Sequence, residues 1–264
     1  LFVLLTGVAP AIKQRLWNAW YGWLARHDPR AQLRFMNYGF MPAVADTGLA
    51  LSPEDEPFRY PIELYRHVVQ GVTLTGKDVL EVGSGRGGGA DFLARHYRPA
   101  SVLGVEAAED AVRFCQQSYR EANLQFRQGL AEALPCAEAS VDVVVNVESS
   151  HCYADVAKFL SEVRRVLRPG GYFCFCDLRT RAGMMRLRQQ LNESDLKWVS
   201  IEDITPEVVR ALEAMAQERA QLLRGVPSWL RRAYAEFIGL AGSRSHRLLA
   251  TGELQYCLAR LQRL

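Results

Sequence analysis

The chain of 264 residues is 49% hydrophobic and 23% charged, with a formal net charge of +3, enough to bury one sizeable core in a single domain. Arginine dominates lysine without gathering into a basic block, so nucleic acid is not an expected partner. Six dispersed cysteines, Cys115, Cys136, Cys152, Cys174, Cys176 and Cys257, lack zinc-ligand spacing, which argues for buried thiols, no metal centre and a reducing cytoplasm.

In chain order, Leu1 to Val8 is apolar, but no basic residue precedes it and it is too short to span a bilayer. It reads as the end of a trimmed N-terminal helix. Residues 13–26 place Leu16, Trp17, Trp20, Trp23 and Leu24 on one helical stripe, suited to core packing and to a lid over an apolar substrate or a weak membrane-surface contact. His27 falls in a polar linker. Asn37-Tyr38-Gly39-Phe40 leads into a proline-rich, acidic loop over 41–57. A helix is predicted over 61–70, with Pro61 in its first turn and Gly71 closing it.

From Lys77 the pattern alternates, with strands over 78–82, 101–106, 124–128, 141–147 and 172–177 and helices over 88–96, 109–120 and 154–167. Such alternation implies a parallel sheet covered on both faces. Further on, helices are expected at 180–191, 206–223 and 228–238, a short strand at 196–201 and a final strand at 253–261.

The most informative stretch is V-L-E-V-G-S-G-R-G-G-G, Val79 to Gly89. An apolar strand runs into Gly83, Gly85 and Gly87 and then a helix, a turn in which glycine admits positive φ and helix N–H groups meet an anionic group. Gly83, Gly85 and Gly88 also satisfy G-x-G-x-x-G, and Glu106 stands where a dinucleotide fold puts its ribose acid. Two features point elsewhere. Glu81 precedes the first glycine by two residues, where a dinucleotide strand is usually apolar, and L-R-P-G-G-Y-F-C-F-C-D, Leu167 to Asp177, is a helix end, turn and strand. Together these resemble motifs of the class I S-adenosylmethionine (SAM)-dependent methyltransferases.

Glu106 ends the second strand at the carboxyl edge, where a carboxylate accepts both ribose hydroxyls. In Gly129-Leu130-Ala131-Glu132, Leu130 stands where methyltransferases commonly carry an adenine-binding Asp, leaving backbone groups and stacking to hold the base. One lost hydrogen bond of that kind is worth on the order of 1 kcal/mol. After strand four, Asn146-Val147-Glu148-Ser149-Ser150-His151-Cys152-Tyr153 should face the reacting methyl. His151 is the base suited to neutral pH, with Glu148 orienting it or capping the next helix. His67, His96 and His246 have no constellation around them.

The runs V-E-S-S-H-C-Y (Val147 to Tyr153), L-R-P-G-G-Y, D-E-P (Asp55 to Pro57) and E-F-I-G (Glu236 to Gly239) resemble the phthiotriol and phenolphthiotriol dimycocerosate O-methyltransferases and related bacterial polyketide O-methyltransferases. The resemblance implies a doubly wound, mostly parallel seven-stranded α/β sheet. An N-terminal helical lid (1–70), a SAM-binding core (71–178) and substrate-cap helices with the final strands (179–264) divide the chain. It further implies SAM as donor, S-adenosylhomocysteine as product, and a hydrophobic polyketide-like or lipid-like substrate, and it admits a homodimer. Cofactor contacts are expected from Tyr38, Glu81, Gly83, Ser84, Gly85, Gly87, Glu106, Ala107, Leu130, Ala131, Glu132 and Asn146, with Asn37 and Gly39 joining from the cap. His151 and Glu148 are the expected catalytic pair. The alternatives are a SAM-binding protein that assists polyketide cyclisation, and a C-methyltransferase.

Overall fold

The computed structural model describes residues 33–43 and 49–264. The tryptophan stripe over 13–26, His27 and part of the acidic loop therefore lie outside the described residues. The strands are β1 (Asp78–Val82), β2 (Ser101–Glu106), β3 (Leu124–Gln128), β4 (Val141–Val147), β5 (Leu167–Thr180), β6 (Lys197–Asp203) and β7 (Leu254–Gln262). They form one seven-stranded sheet in the order β3-β2-β1-β4-β5-β7-β6. β1 to β5 pair in parallel, and β7 runs antiparallel between β5 and β6.

Period-two alternation decides which face each residue covers. Val143, Val145, Val147, Cys174 and Cys176 face one apolar cluster, together with Ile62 and Leu64 of α1 (Arg59–Val68) and Phe92 of α2 (Gly88–His96). Val144, Phe173 and Phe175 face the other, against Phe159 and Leu160 of α4 (Val156–Val166) and Leu187 of α5 (Arg181–Asn192). Because both faces are covered, β4 reads as a nearly unbroken valine run. Phe159, Phe173 and Phe175 are fully buried, each contributing roughly 1.5–3 kcal/mol of apolar transfer. Cys174 and Cys176 are buried and unbridged on one face, as their spacing suggests.

Several predicted bounds shift. β5 starts at Leu167 and continues to Thr180, because β7 pairs with it from Tyr172 to Thr180 and Leu167 already pairs with Val141. The Pro-Gly-Gly turn is thus a bulge inside the strand's extent. The helix expected over 206–223 is two, α6 (Thr205–Ala214) and α7 (Ala216–Leu222), broken at Met215. α3 (Glu109–Ser118) and α8 (Arg231–Phe237) are shorter than expected, and α9 (Arg244–Ala250), capped by Ser243, was not expected at all.

β1 has β2 on one side and β4 on the other, so chain direction across the sheet reverses there and leaves a crevice at the carboxyl ends of these strands. Open α/β sheets bind ligands at such a switch point. Among the described residues no helix is long and apolar enough to cross a membrane, and no group of three or more His, Cys, Asp or Glu side chains is arranged to hold a metal.

Candidate active site

The turn after β1 is built by its glycines. Gly83, Gly85 and Gly87 have φ of 71°, 54° and 81°, values that L side chains rarely adopt. Close packing forbids a side chain as well. A Cβ on Gly83 would come within 2.5 Å of Ser149 and 2.8 Å of the Tyr153 hydroxyl, and one on Gly85 within 2.2 Å of the Met36 methyl. The amides of Gly83 and Ser84 both donate to the Val105 carbonyl, at 2.8 and 3.1 Å, fastening the turn to β2.

Glu106, at the end of β2, accepts the Gly85 amide on Oε2 at 3.0 Å and the Ala108 amide on Oε1 at 2.9 Å. Burial raises its carboxyl, and those amides oppose the rise. Each oxygen keeps a second lone pair, so the carboxylate is fixed in place and still able to accept two hydroxyls. Glu132 accepts the amides of Ala154 and Asp155, at 2.9 and 3.3 Å, drawing the 129–132 loop toward the residues after β4.

A cleft open to solvent at its mouth lies over this edge, a concave site of the kind small ligands occupy. Of the expected cofactor residues, Tyr38, Gly83, Ser84, Gly85, Glu106, Ala107, Leu130, Ala131 and Glu132 line it, as do His151 and Glu148. Glu81, Gly87 and Asn146 do not line it, and each has a different reason. Gly87 faces Tyr119, Phe126 and Cys115 behind the turn. Asn146 is fully buried beneath Gly83, its Nδ2 within hydrogen-bond distance of the Val82 carbonyl and the Ser149 and Tyr153 hydroxyls. Glu81 is covered by Tyr65, whose hydroxyl donates to its Oε1 at 2.6 Å; burial pushes this carboxyl up to about 8. These two therefore support the turn from below.

The imidazole is oriented by a residue that sequence reasoning did not single out. His151 Nδ1 lies 2.7 Å from Asp177 Oδ1, and the His151 amide donates to Asp177 Oδ2 at 2.9 Å. Burial alone would raise the Asp177 carboxyl. The Arg179 guanidinium at 3.1 Å, then His151 and the Ser150 hydroxyl, hold it well below the usual carboxylate range. An ionised Asp177 keeps a proton on Nδ1 and leaves Nε2 as the basic nitrogen.

Glu148 has another task than either expected for it. Its carboxylate accepts the Tyr38 amide, tying the cap to the core, while α4 is capped by Asp155. Burial pushes Glu148 up to about 8. The cap also lays Met36 across Gly85 and lends the Arg34 carbonyl to the Gly88 amide at 3.2 Å. Met36, Leu178, Val147 and Phe237 make much of the cleft wall apolar.

The residues fit a cationic donor that carries a ribose. Ser84 lines the cleft, its hydroxyl buried and without a hydrogen-bond partner, and Glu81 Oε2 and Asn146 Oδ1 are likewise unpaired just behind the turn. Buried polar atoms in that state cost about 1–3 kcal/mol each, which a polar ligand at the turn relieves.

Residues 80–175 match the methyltransferase domain family. The chain is 18% identical to the geranyl diphosphate C-methyltransferase of Streptomyces coelicolor, solved with Mg2+, geranyl-S-thiolodiphosphate and S-adenosyl-L-homocysteine. That match has a TM-score of 0.68 over 96% of this chain and 98% of that one. It is 17% identical to the [4+2]-cyclase SpnF, with a TM-score of 0.74 over 95% and 96% of the two chains. At such identities the likeness is one of fold. A fatty-acid O-methyltransferase of Mycolicibacterium smegmatis is 44% identical over 179 residues, 68% of this chain and 65% of that protein. The phthiotriol/phenolphthiotriol dimycocerosates methyltransferase of Mycobacterium tuberculosis is 39% identical over 244 residues, 92% of this chain and 90% of its own. Since that identity spans nearly all of both proteins, the chain belongs to the methyltransferase family of the phthiotriol/phenolphthiotriol dimycocerosates methyltransferases.

Proposed function

We propose that the protein methylates a hydroxyl oxygen of a hydrophobic, polyketide-like or lipid-like small molecule, using SAM and releasing S-adenosylhomocysteine. The observation that carries this reading is an Asp177-oriented imidazole lining the same cleft as the glycine turn and Glu106. SAM supplies an electrophilic methyl on a sulfonium. Glu106 would accept the ribose hydroxyls, the turn and Ser84 would hold the amino-acid end, and Leu130 and Ala131 would lie along the base. Glu81 supports this arrangement through Tyr65.

A neutral alcohol is a poor nucleophile, so the acceptor needs a base as its oxygen attacks. His151 Nε2 would take that proton, and Asp177 would stabilise the resulting imidazolium. The apolar wall excludes water and aligns the acceptor, and alignment supplies much of the rate in a displacement of this kind. Two relatives named for a phthiotriol and a fatty acid support a lipophilic acceptor.

The test is incubation with methyl-labelled SAM and a lipid extract of the producing cells, followed by a mass search for a labelled product. His151→Ala is expected to keep SAM affinity and lose roughly a hundredfold or more in turnover. Unchanged turnover would remove His151 from the mechanism. A transformed substrate without label would favour cyclisation instead, and label on carbon would make the enzyme a C-methyltransferase.

A further inference from the structure

We propose that residues 223–232, the segment joining α7 to α8 together with the first two residues of α8, are a contact surface for an anionic lipid bilayer, set beside the mouth of the cleft. Its sequence, L-R-G-V-P-S-W-L-R-R, carries three arginines and no acidic residue. Arg224, Arg231 and Arg232 are exposed, and no carboxylate among the described residues pairs with Arg224 or Arg232. Trp229 is 78% exposed. An unpaired indole at the tip of a cationic loop matches the interfacial region of a membrane, where an amphipathic ring settles at headgroup depth and guanidinium groups meet anionic phosphates.

The loop is firmly held. The Arg231 Nε donates to the Val226 carbonyl at 3.0 Å, and the Leu230 amide to the Pro227 carbonyl at 2.9 Å. Its inner side, Val226 and Leu230, belongs to an apolar cluster with Tyr234, Ile238, Cys152 and Phe237. Cys152 and Phe237 also line the cleft. An apolar path therefore runs from the loop to the cleft wall, so a bilayer seated on Trp229 would lie close to where a lipophilic acceptor enters. That last step rests on the proposed function; the surface itself does not.

The full chain should be sedimented with vesicles of mixed phosphatidylglycerol and phosphatidylcholine, and with phosphatidylcholine alone, at low and high salt, without donor or acceptor. Binding is expected to need phosphatidylglycerol and to weaken with salt. Trp229→Ala should weaken it about tenfold. Arg224→Gln with Arg232→Gln should weaken it roughly thirtyfold, about fivefold per guanidinium. Thermal unfolding and SAM affinity should stay those of the parent in every variant. Absence of vesicle binding, or variants that bind like the parent, would overturn the proposal. So would binding that ignores Trp229 and is matched by a nucleic-acid duplex, which would mark a general polyanion site. Failure here leaves the methyl-transfer reading standing, and failure of methyl transfer leaves vesicle binding to be judged alone.

Discussion

His151 and Asp177 are separated by 26 positions, and the sheet brings them together. β4 and β5 are parallel neighbours in a register that sets Val147 opposite Cys176, so the residues just beyond β4 meet Asp177, the next position along β5, at the crevice. Asp177 was legible as the last residue of the predicted strand five. Its role was not, because that depends on which strands are adjacent. The signal available was an acid at a carboxyl edge next to the strand that carries the histidine. Replacing Asp177 with Asn puts an amide where the Nδ1 proton needs an acceptor, which favours the imidazole tautomer without a lone pair on Nε2. Turnover is expected to fall by roughly two to four orders of magnitude, with SAM affinity little changed. Asp177→Asn also leaves Arg179 without its buried counter-charge, so the melting temperature should drop. Steady-state kinetics, calorimetric SAM binding and thermal unfolding separate these effects. Full turnover in a folded Asp177→Asn enzyme would remove the dyad from the mechanism.

At the scale of elements, β1 to β4 were legible to the residue, because apolar runs in β1, β2 and β4 and an alternating run in β3 are each bounded by polar or turn residues. What sequence missed depends on neighbours. β5 gains Leu178, Arg179 and Thr180 from its pairing with β7, and α9 is a seven-residue helix too short to show a period. The cap over the glycine turn was read as part of an N-terminal lid bringing Asn37, Tyr38 and Gly39 to the pocket, but its attachment was not legible, because it comes from distant charges. Asp55 is almost fully buried, receiving Arg34 at 2.5 Å and Arg95 at 2.8 Å. Burial raises its carboxyl, but the bonds from Arg95 and the charge of Arg34 win and lower it. The Arg34 guanidinium also lies 4.4 Å over the Phe58 ring. Asp55 thus joins the cap, the loop before α1 and α2. Asp55→Asn removes a buried charge whose partners are partly exposed, and about 2 kcal/mol of stability should go with it. The loosened cap should release SAM several-fold faster, measured by stopped-flow displacement. An unchanged release rate in a destabilised variant would limit Asp55 to a role in folding.

For the molecule as a whole, winding the sheet both ways gathers acids at one edge, and burial divides them into two groups. Asp177 is held ionised by Arg179 and His151, whereas Glu81 and Glu148 form no ion pair among the described residues and are pushed up to about 8. A carboxyl raised in this way binds its proton more tightly folded than unfolded. Its contribution to stability is complete below the unfolded value, near 4.5, and is lost as pH climbs toward 8. The slope is about 1.4 kcal/mol per pH unit for each group. Asp177 acts in the opposite sense, since its contribution is full above the unfolded carboxylate range and is lost only as strong acid protonates it. Between mildly acidic pH and pH 8 these two glutamates, joined by Glu106, whose carboxyl burial also raises, act in the same sense, and the ligand-free protein should lose melting temperature as pH rises. Glu81→Gln and Glu148→Gln each keep an oxygen to accept from Tyr65 or the Tyr38 amide but cannot ionise. Each variant should show a shallower decline, the double variant the shallowest, with the raised Glu106 carboxyl still contributing, and both single variants should be at least as stable as the parent at the alkaline end. A cationic donor placed near these carboxylates favours their ionised forms, so SAM should bind with release of protons near neutral pH, fewer in either Gln variant. Calorimetry in buffers of different ionisation enthalpy counts those protons. A parent whose stability rises over this interval, or variants that track it, would mean that both carboxyls are already ionised in the folded protein.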